Sequence, residues 1–264
     1  MLEAVIPTEV RTEILRRLKL AEQTHQVRIL FAIESGSRAW GFASPNSDYD
    51  VRFVYMHEPQ WYQAVDLEER RDVIEYPILD EIDLNGWDVR KALRLFWKSN
   101  PAFIEWIQSP ITYIEVGAFR EQATQVQAEI YNPEKGMYHY LSMAKTNFNG
   151  HLRESQVRLK KYFYVMRALL SARWIANKLT PAPIEFERLL VLLEDEPEVL
   201  DAVHRLLDQK RQSPELGLAP AVPELNQFII TSLAHPPQVL HTSHTSGLAI
   251  VRLNQIFHDV LSNY

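Results

Sequence analysis

The chain has 264 residues, 46% of them hydrophobic and 23% charged, the make-up of a globular protein with room for one large domain or two modest ones. It has no cysteine, which excludes disulfides and thiolate metal sites, and no apolar run near the ~18–20 residues that a membrane span needs. A formal net charge of −6 excludes a protein that coats nucleic acid through uniform basicity, while leaving room for a local basic groove. The opening segment MLEAVIPTEVRTEILRR is charged and helix-forming rather than a signal peptide, so a cytoplasmic location is expected. Pro7 and Thr8 start that helix, and Ile14, Leu15 and Leu18 recur on one face.

The stretch LFAIESGSRAWGFASPNSDYDVRFVY carries the chain's densest group of chemistry-bearing residues. An apolar strand is expected over 27–34. It gives way to a turn carrying Gly36 and Ser37, whose N–H groups and hydroxyl suit phosphate oxygens, with a helix start over 37–42 aimed at the same phosphate. Pro45-Asn46-Ser47 makes a turn, and a second strand is expected over 48–56. Its side chains alternate faces, so Asp48 and Asp50 project together while Tyr49 and Val51 point into packing. Two ionised carboxylates so close repel unless a cation lies between them, and oxygen-only ligands favour Mg²⁺ or Mn²⁺. A phosphate grip beside a paired-carboxylate metal site is the machinery of nucleotidyl transfer. The plain alternative makes Asp48 a turn residue and Asp50 a solvated strand residue, but it gives Glu34, Gly36, Ser37 and Asp50 no common reason.

Residues 57–71 mix aromatic and charged side chains and read as a short surface helix. A strand over 72–76 ends at Pro77, and Ile82-Asp83-Leu84 has the alternation of a half-buried strand. Asp88 stands just before VRKALRLFWK, where a side-chain oxygen can cap the helix's orphan N–H groups. That helix, over 89–98, buries Val89, Leu93 and Phe96; Arg90 and Lys91 in its first turn read equally as phosphate ligands or solvated charges. Asn100 then caps, and Pro101 starts, a helix to 106. Residues 111–116 read as an edge strand or a crossing connection, and a domain boundary is placed near Gly117.

Beyond it the pattern is helical: 119–131, 137–178 with a break near Gly150, 184–193, 197–210, 223–234 and 248–261, with loops over 212–223 and 236–246. Lys160 and Arg167, seven apart, share one helical face with Tyr164 between them, a pattern that can grip a nucleotide or an RNA backbone. The competing reading has Phe163, Met166, Leu170 and Trp174 as core and the charges as mere solvation of the other face. His241 and His244, three apart in a polar loop without nearby acids, make a poor metal site.

Gly36-Ser37, with Asp48-Tyr49-Asp50 beginning twelve residues after the glycine, resembles the active-site signature of the DNA polymerase beta-like nucleotidyltransferase superfamily. The downstream run GWDVRKALRLFWKSNPAFIEWIQSP is similar to a bacterial branch of predicted nucleotidyltransferases, part of it associated with RNA repair. The resemblance covers the first half strongly and the helical second half loosely. It implies an α/β (α+β) core with a mixed sheet over 1–116, and an all-helical domain over 117–264 forming the other wall of the cleft. It further implies a metal-dependent enzyme that transfers a nucleoside monophosphate from an NTP, ATP being expected, to an acceptor hydroxyl with release of pyrophosphate.

In that arrangement Gly36, Ser37 and Arg38 hold the nucleotide, Lys160 and Arg167 reach nucleotide or RNA, and Asp48 and Asp50 bind Mg²⁺ or Mn²⁺. The resemblance also asks for a third carboxylate from a neighbouring strand to complete the catalytic metal site; Asp83 is expected there, with Asp88 the alternative. The acceptor stays open between an RNA end, a protein hydroxyl as in AMPylating nucleotidyltransferases, and a small molecule such as an aminoglycoside. A catalytically inactive nucleotide-binding interaction module is the alternative from outside enzymology.

Overall fold

Apolar periodicity and chain breakers set the elements seen in a computed structural model, which describes residues 6–212, 217–239 and 246–263. The first helix, α1 (Thr8–His25), starts after Pro7 and buries Ile14, Leu18 and Ala21. β1 (Arg28–Glu34), the single turn α2 (Gly36–Ala39) and β2 (Tyr49–Met56) follow. Where a surface helix was expected over 57–71, the chain forms two 3-10 turns, Pro59–Gln63 and Leu67–Glu69, neither of which buries a residue. With Trp61 and Tyr62 only partly buried and no continuous apolar stripe, little offsets the cost of nucleating an α-helix there. Next come β3 (Val73–Glu75), β4 (Ile82–Asp88), α3 (Val89–Trp97), α4 (Pro101–Gln108) and β5 (Thr112–Glu115).

The five strands make one mixed sheet in the order β3-β4-β2-β1-β5, so residues 112–115 are an edge strand. β2 and β4 run parallel, and the other pairings are antiparallel. On one face Tyr49, Val51, Phe53 and Tyr55 of β2 meet Ile82 and Leu84 of β4 in a hydrophobic core that includes Ile14, Leu18 and Ala21 of α1. Burying a side chain the size of Phe53 contributes about 2–3 kcal/mol. Gly86 of β4 makes room for that ring: a Cβ there would stand 2.2 Å from Cε2 of Phe53. Strand alternation then turns Asp50 and Arg52 of β2, and Asp83 and Asn85 of β4, to the opposite face.

Contacts gather the chain into two units. The first holds the sheet and continues past residue 116 to Tyr131, taking in α5 (Phe119–Ile130) and, from the other end of the chain, α11 (Ser246–Ser262). Packing explains both additions. The Phe119 ring stacks on Phe31 of β1 with centroids 5.9 Å apart, and Phe257 of α11 meets Tyr62 edge-on at 5.2 Å. The Gln122 side chain donates to Asp259 at 3.1 Å.

The second unit comprises Trp40–Ser47 and the chain from Asn132 through α10. Its elements are α6 (Pro133–His151), β6 (Gln156–Arg158), α7 (Lys160–Lys178), α8 (Phe186–Leu189) with a 3-10 turn over Leu190–Leu193, α9 (Pro197–Gln212), β7 (Leu218–Pro220) and α10 (Pro223–Ala234). β6 and β7 pair antiparallel, a small ribbon in one segment expected to be helix and another expected to be loop; α6 runs through Gly150, where a break was expected, and the helical region is interrupted after His151 instead. Three residues per strand are too few for alternation to show in a sequence. Among the described residues no helix is long and apolar enough to cross a membrane.

Candidate active site

The site is built on the turn between β1 and β2. β1 ends in Glu34, which is fully buried, and its carboxylate reaches across to the start of β2: Oε1 accepts from the Asp50 N–H at 3.0 Å. Oε2 accepts from the Tyr113 hydroxyl at 2.6 Å. The Ser35 N–H returns to the Asp50 carbonyl at 2.8 Å, so the two strand ends are laced together around Asp50. Burial pushes the Glu34 carboxyl up to about 7, against the pull of the Tyr113 and Asp50 hydrogen bonds.

Gly36 follows at φ +57°, in the left-handed region that favours glycine. Its missing side chain matters more than its backbone angle, because a Cβ would lie 1.9 Å from Oδ2 of Asp50. Only glycine lets the turn pass this close to that carboxylate. Ser37 is half-buried in α2, which is a single turn and has a correspondingly small dipole. Arg38 is buried, its guanidinium 4.0 Å from the Tyr49 ring centroid, 3.9 Å from Glu34 Oε1 and donating to the Asp48 carbonyl at 3.3 Å. Of the three turn residues expected at the nucleotide, Arg38 is therefore the one turned into the fold, where it braces the turn.

The register of the parallel pair sets Asp50 directly opposite Asp83. Between them lies the guanidinium of Arg52, whose Nη2 is 3.1 Å from Asp50 Oδ1 and 2.7 Å from Asp83 Oδ2. Nη1 of Arg52 donates to the main-chain carbonyls of Asp83 at 2.8 Å and Val51 at 3.0 Å. The Asn85 amide donates to the other oxygen of Asp83 at 2.6 Å. Asp48 is exposed at the mouth of β2. Burial pushes the Asp50 carboxyl up; Arg52 opposes this, and the charges of Asp83 and then Asp48 add to it.

Asp88 is not part of this group. It lies five residues along β4 from Asp83, an odd spacing that sends it to the other face. There it is buried, caps α3 by accepting from the Arg90 N–H at 2.8 Å, and accepts from the Tyr62 hydroxyl at 2.7 Å. Burial raises its carboxyl to about 6. Arg90 and Lys91 are paired with Glu68 at 2.7 Å and Asp72 at 2.8 Å.

The chemistry of the donor set fits a hard divalent cation: three carboxylates, the Asp50 carboxylate packed directly against the backbone of the Gly36 turn, and a guanidinium standing between Asp50 and Asp83. As the side chains stand, no three acidic or histidine groups among the described residues form a metal-holding cluster, and Arg52 stands between Asp50 and Asp83. His241 and His244 lie outside the described residues.

In the second unit the expected basic face of α7 is only half present. Lys160 is half-buried at the helix start and Tyr164 is exposed, but Arg167 is buried. Its guanidinium lies 4.5 Å from the Trp40 ring centroid and donates to the Ile184 carbonyl at 3.4 Å. The reason is that α7 is central to its unit, with Val165, Met166, Ala168 and Leu169 all buried around Arg167.

Sequence reasoning missed Arg52, Asn85 and Tyr113, and passed over Glu34 as a site residue. A signal existed for two of them. Arg52 continues the every-second-residue spacing of Asp48 and Asp50, and Glu34 is an acid closing an otherwise apolar strand just before a Gly-Ser turn. Tyr113 is brought in only by β5 pairing with β1.

A family model described as the RNA repair pathway DNA polymerase beta family matches residues 10–259. The uncharacterized protein YcgL of Bacillus subtilis (strain 168) is 44% identical over 224 residues, covering 85% of each chain. A crystal structure of a nucleotidyltransferase-like protein from Exiguobacterium sibiricum 255-15 aligns over 96% of this chain and 80% of its own, at 12% identity and a TM-score of 0.33.

Proposed function

Because the chain belongs to the RNA repair pathway DNA polymerase beta family, a nucleotidyltransferase family, we propose that it transfers a nucleoside monophosphate from an NTP, ATP first, to the terminal hydroxyl of an RNA, releasing pyrophosphate. The observation that carries this reading is the opposition of Asp50 and Asp83 across β2 and β4 beside the Gly36 turn. Asp48, Asp50 and Asp83 are the residues that would hold Mg²⁺ or Mn²⁺, which when bound supplies positive charge for the triphosphate oxygens. Gly36 gives the phosphates close access to the carboxylates, and the Ser37 hydroxyl and turn N–H groups hold them. In this reading Asp83 takes the proton of the acceptor hydroxyl as that hydroxyl's oxygen bonds to the α-phosphorus. The bond from that phosphorus to the bridging oxygen breaks, and pyrophosphate leaves with the electron pair.

Arg38 and Arg167 hold the fold in this scheme, which leaves Lys160 as the residue for RNA phosphates. The cytoplasm, where NTPs and RNA meet, is the proposed location. Incubating the protein with each α-labelled NTP, Mg²⁺ or Mn²⁺ and a pool of RNAs tests the proposal. Label on RNA 3′ ends that is lost in Asp50→Ala supports it. Label on protein instead would move the acceptor to a protein hydroxyl, and no label anywhere would leave a nucleotide-binding module.

A further inference from the structure

Two aspartates set directly opposite each other across a sheet repel, and the pair is half-buried, where water screens them poorly. Arg52 offsets that repulsion from within the chain. Its Nη2 stands between the two carboxylates, at 3.1 Å from Asp50 and 2.7 Å from Asp83. Its Nη1 is tied to two main-chain carbonyls, those of Asp83 and Val51, so the planar head is fixed to the sheet rather than swinging in solvent. The arrangement is lopsided. Asp83 has both oxygens filled by chain donors, Arg52 on one and Asn85 at 2.6 Å on the other. Asp50 gives Arg52 only its Oδ1, and its Oδ2 lies against the backbone of the Gly36 turn.

We propose that Arg52 is the built-in counter-cation of the Asp50–Asp83 pair: a positioning residue that keeps the two carboxylates in register without metal and competes with a divalent ion for them. The inference rests on the reading of these aspartates as metal-holding residues. Competition acts mainly at Asp50, where one long hydrogen bond has to be given up, while the main-chain anchors keep Arg52 beside Asp83. The metal-free chain is thereby spared a bare carboxylate pair, at the expense of affinity for free divalent ion. A triphosphate, which brings oxygen ligands of its own, restores that affinity, so the site fills only when nucleotide and ion arrive together.

The test is a calorimetric titration of Mn²⁺ into the full chain without nucleotide, for the parent, Arg52→Gln, Arg52→Lys and Asp50→Ala, alongside thermal melts in EDTA. Arg52→Gln should melt lower in EDTA yet bind Mn²⁺ roughly tenfold more tightly, about 1.4 kcal/mol. Arg52→Lys, which keeps a charge without the bridging fork, should fall between parent and Gln. Asp50→Ala should bind no Mn²⁺. A merely structural arginine predicts the opposite, since a loosened site binds more weakly. Should Arg52→Gln fold poorly, adding Asp83→Asn should restore its melting point, because the repulsion is then gone; failure to restore it counts against the proposal. Equal or weaker Mn²⁺ binding in Arg52→Gln would overturn the role of Arg52 alone. Absence of Mn²⁺ binding in every variant, with nucleotide present as well, would overturn the metal reading together with it.

Discussion

The open face of β2 and β4 and the helix α7 both carry polar residues at regular spacing, and they use them in opposite ways. On β2 and β4 the alternation is obeyed: Asp50 and Arg52, Asp83 and Asn85 leave the core, while Val51, Phe53 and Leu84 fill it. In α7 eleven of nineteen residues are buried, including Arg167, so spacing does not tell which polar residue reaches solvent. A strand has two faces, and one is claimed by the core, so the other is left for chemistry. A helix central to its unit packs on most sides, and its charged residues are taken into the packing. The comparison predicts that changes on the sheet face act on chemistry, and changes at Arg167 act on stability.

The largest effect should come where the turn meets the sheet. Asp50→Ala removes a carboxylate from the group, and Gly36→Ala drives a methyl to within 1.9 Å of that carboxylate. Each should lower transfer by about a thousandfold, the upper end for loss of one preorganised group. Asp50→Ala should fold like the parent, because it relieves repulsion, as circular dichroism and melting would show. Full activity in Gly36→Ala would mean that the turn does not approach the reacting phosphates.

The next effect separates two acids on one strand. Asp83→Asn should cost about a hundredfold in rate. Asp88→Asn should leave the rate near the parent's and cost about 1 kcal/mol of stability, since asparagine also caps helices but must rearrange its contact with Tyr62. Steady-state rates and urea melts on both variants decide it; the reverse ranking would transfer the third carboxylate to Asp88 and break the rule that the face decides the role.

What could be read from residues alone follows the same division. The Gly36-Ser37 turn and the turning of Asp50 and Asp83 away from the core were legible because strand alternation and a fixed spacing act over a few residues. The cap roles of Asp88 and Asn100 were legible for the same reason: each precedes its helix and accepts that helix's first N–H groups. Arg167 was misplaced because burial of α7 depends on Trp40 and Ile184, distant in sequence. The addition of α5 and α11 to the sheet unit depends likewise on pairs such as Phe31 with Phe119 and Tyr62 with Phe257. The Arg52 bridge required the β2–β4 register, which no local pattern specifies.

A third effect concerns pH. Glu34 has its carboxyl raised to about 7 by burial, against an ordinary value of 4.5. Between those values the folded chain holds a proton that the unfolded chain has lost, so folding stability falls as pH rises through this window. The full fall amounts to on the order of 3 kcal/mol. Glu34→Gln carries no titrating group and mimics the protonated form, so its melting point should decline less than the parent's between pH 4.5 and 7. Parallel curves for the two proteins would show that Glu34 is ionised throughout, held so by Tyr113 and the Asp50 N–H.

The smallest effect lies on α7, where Lys160 and Arg167 were expected to act as a pair. Lys160 is half-buried at the head of the helix and its neighbour Lys161 lies beside the Tyr164 ring, whereas Arg167 is under Trp40. If RNA phosphates are met here, Lys160→Gln should weaken RNA binding at low salt and reduce the slope of log affinity against log salt by about 0.7, the share of one single-strand phosphate. Arg167→Met should leave that slope unchanged and lower stability by about 1–2 kcal/mol, through the lost stacking on Trp40 and the carbonyl of Ile184 left without its donor. RNA affinity over a salt series, with urea melts on the same preparations, distinguishes the two. A slope change in Arg167→Met as large as that in Lys160→Gln would mean that Arg167 leaves its buried place to meet RNA, and the contrast between the strand face and the central helix would fail at its most specific point.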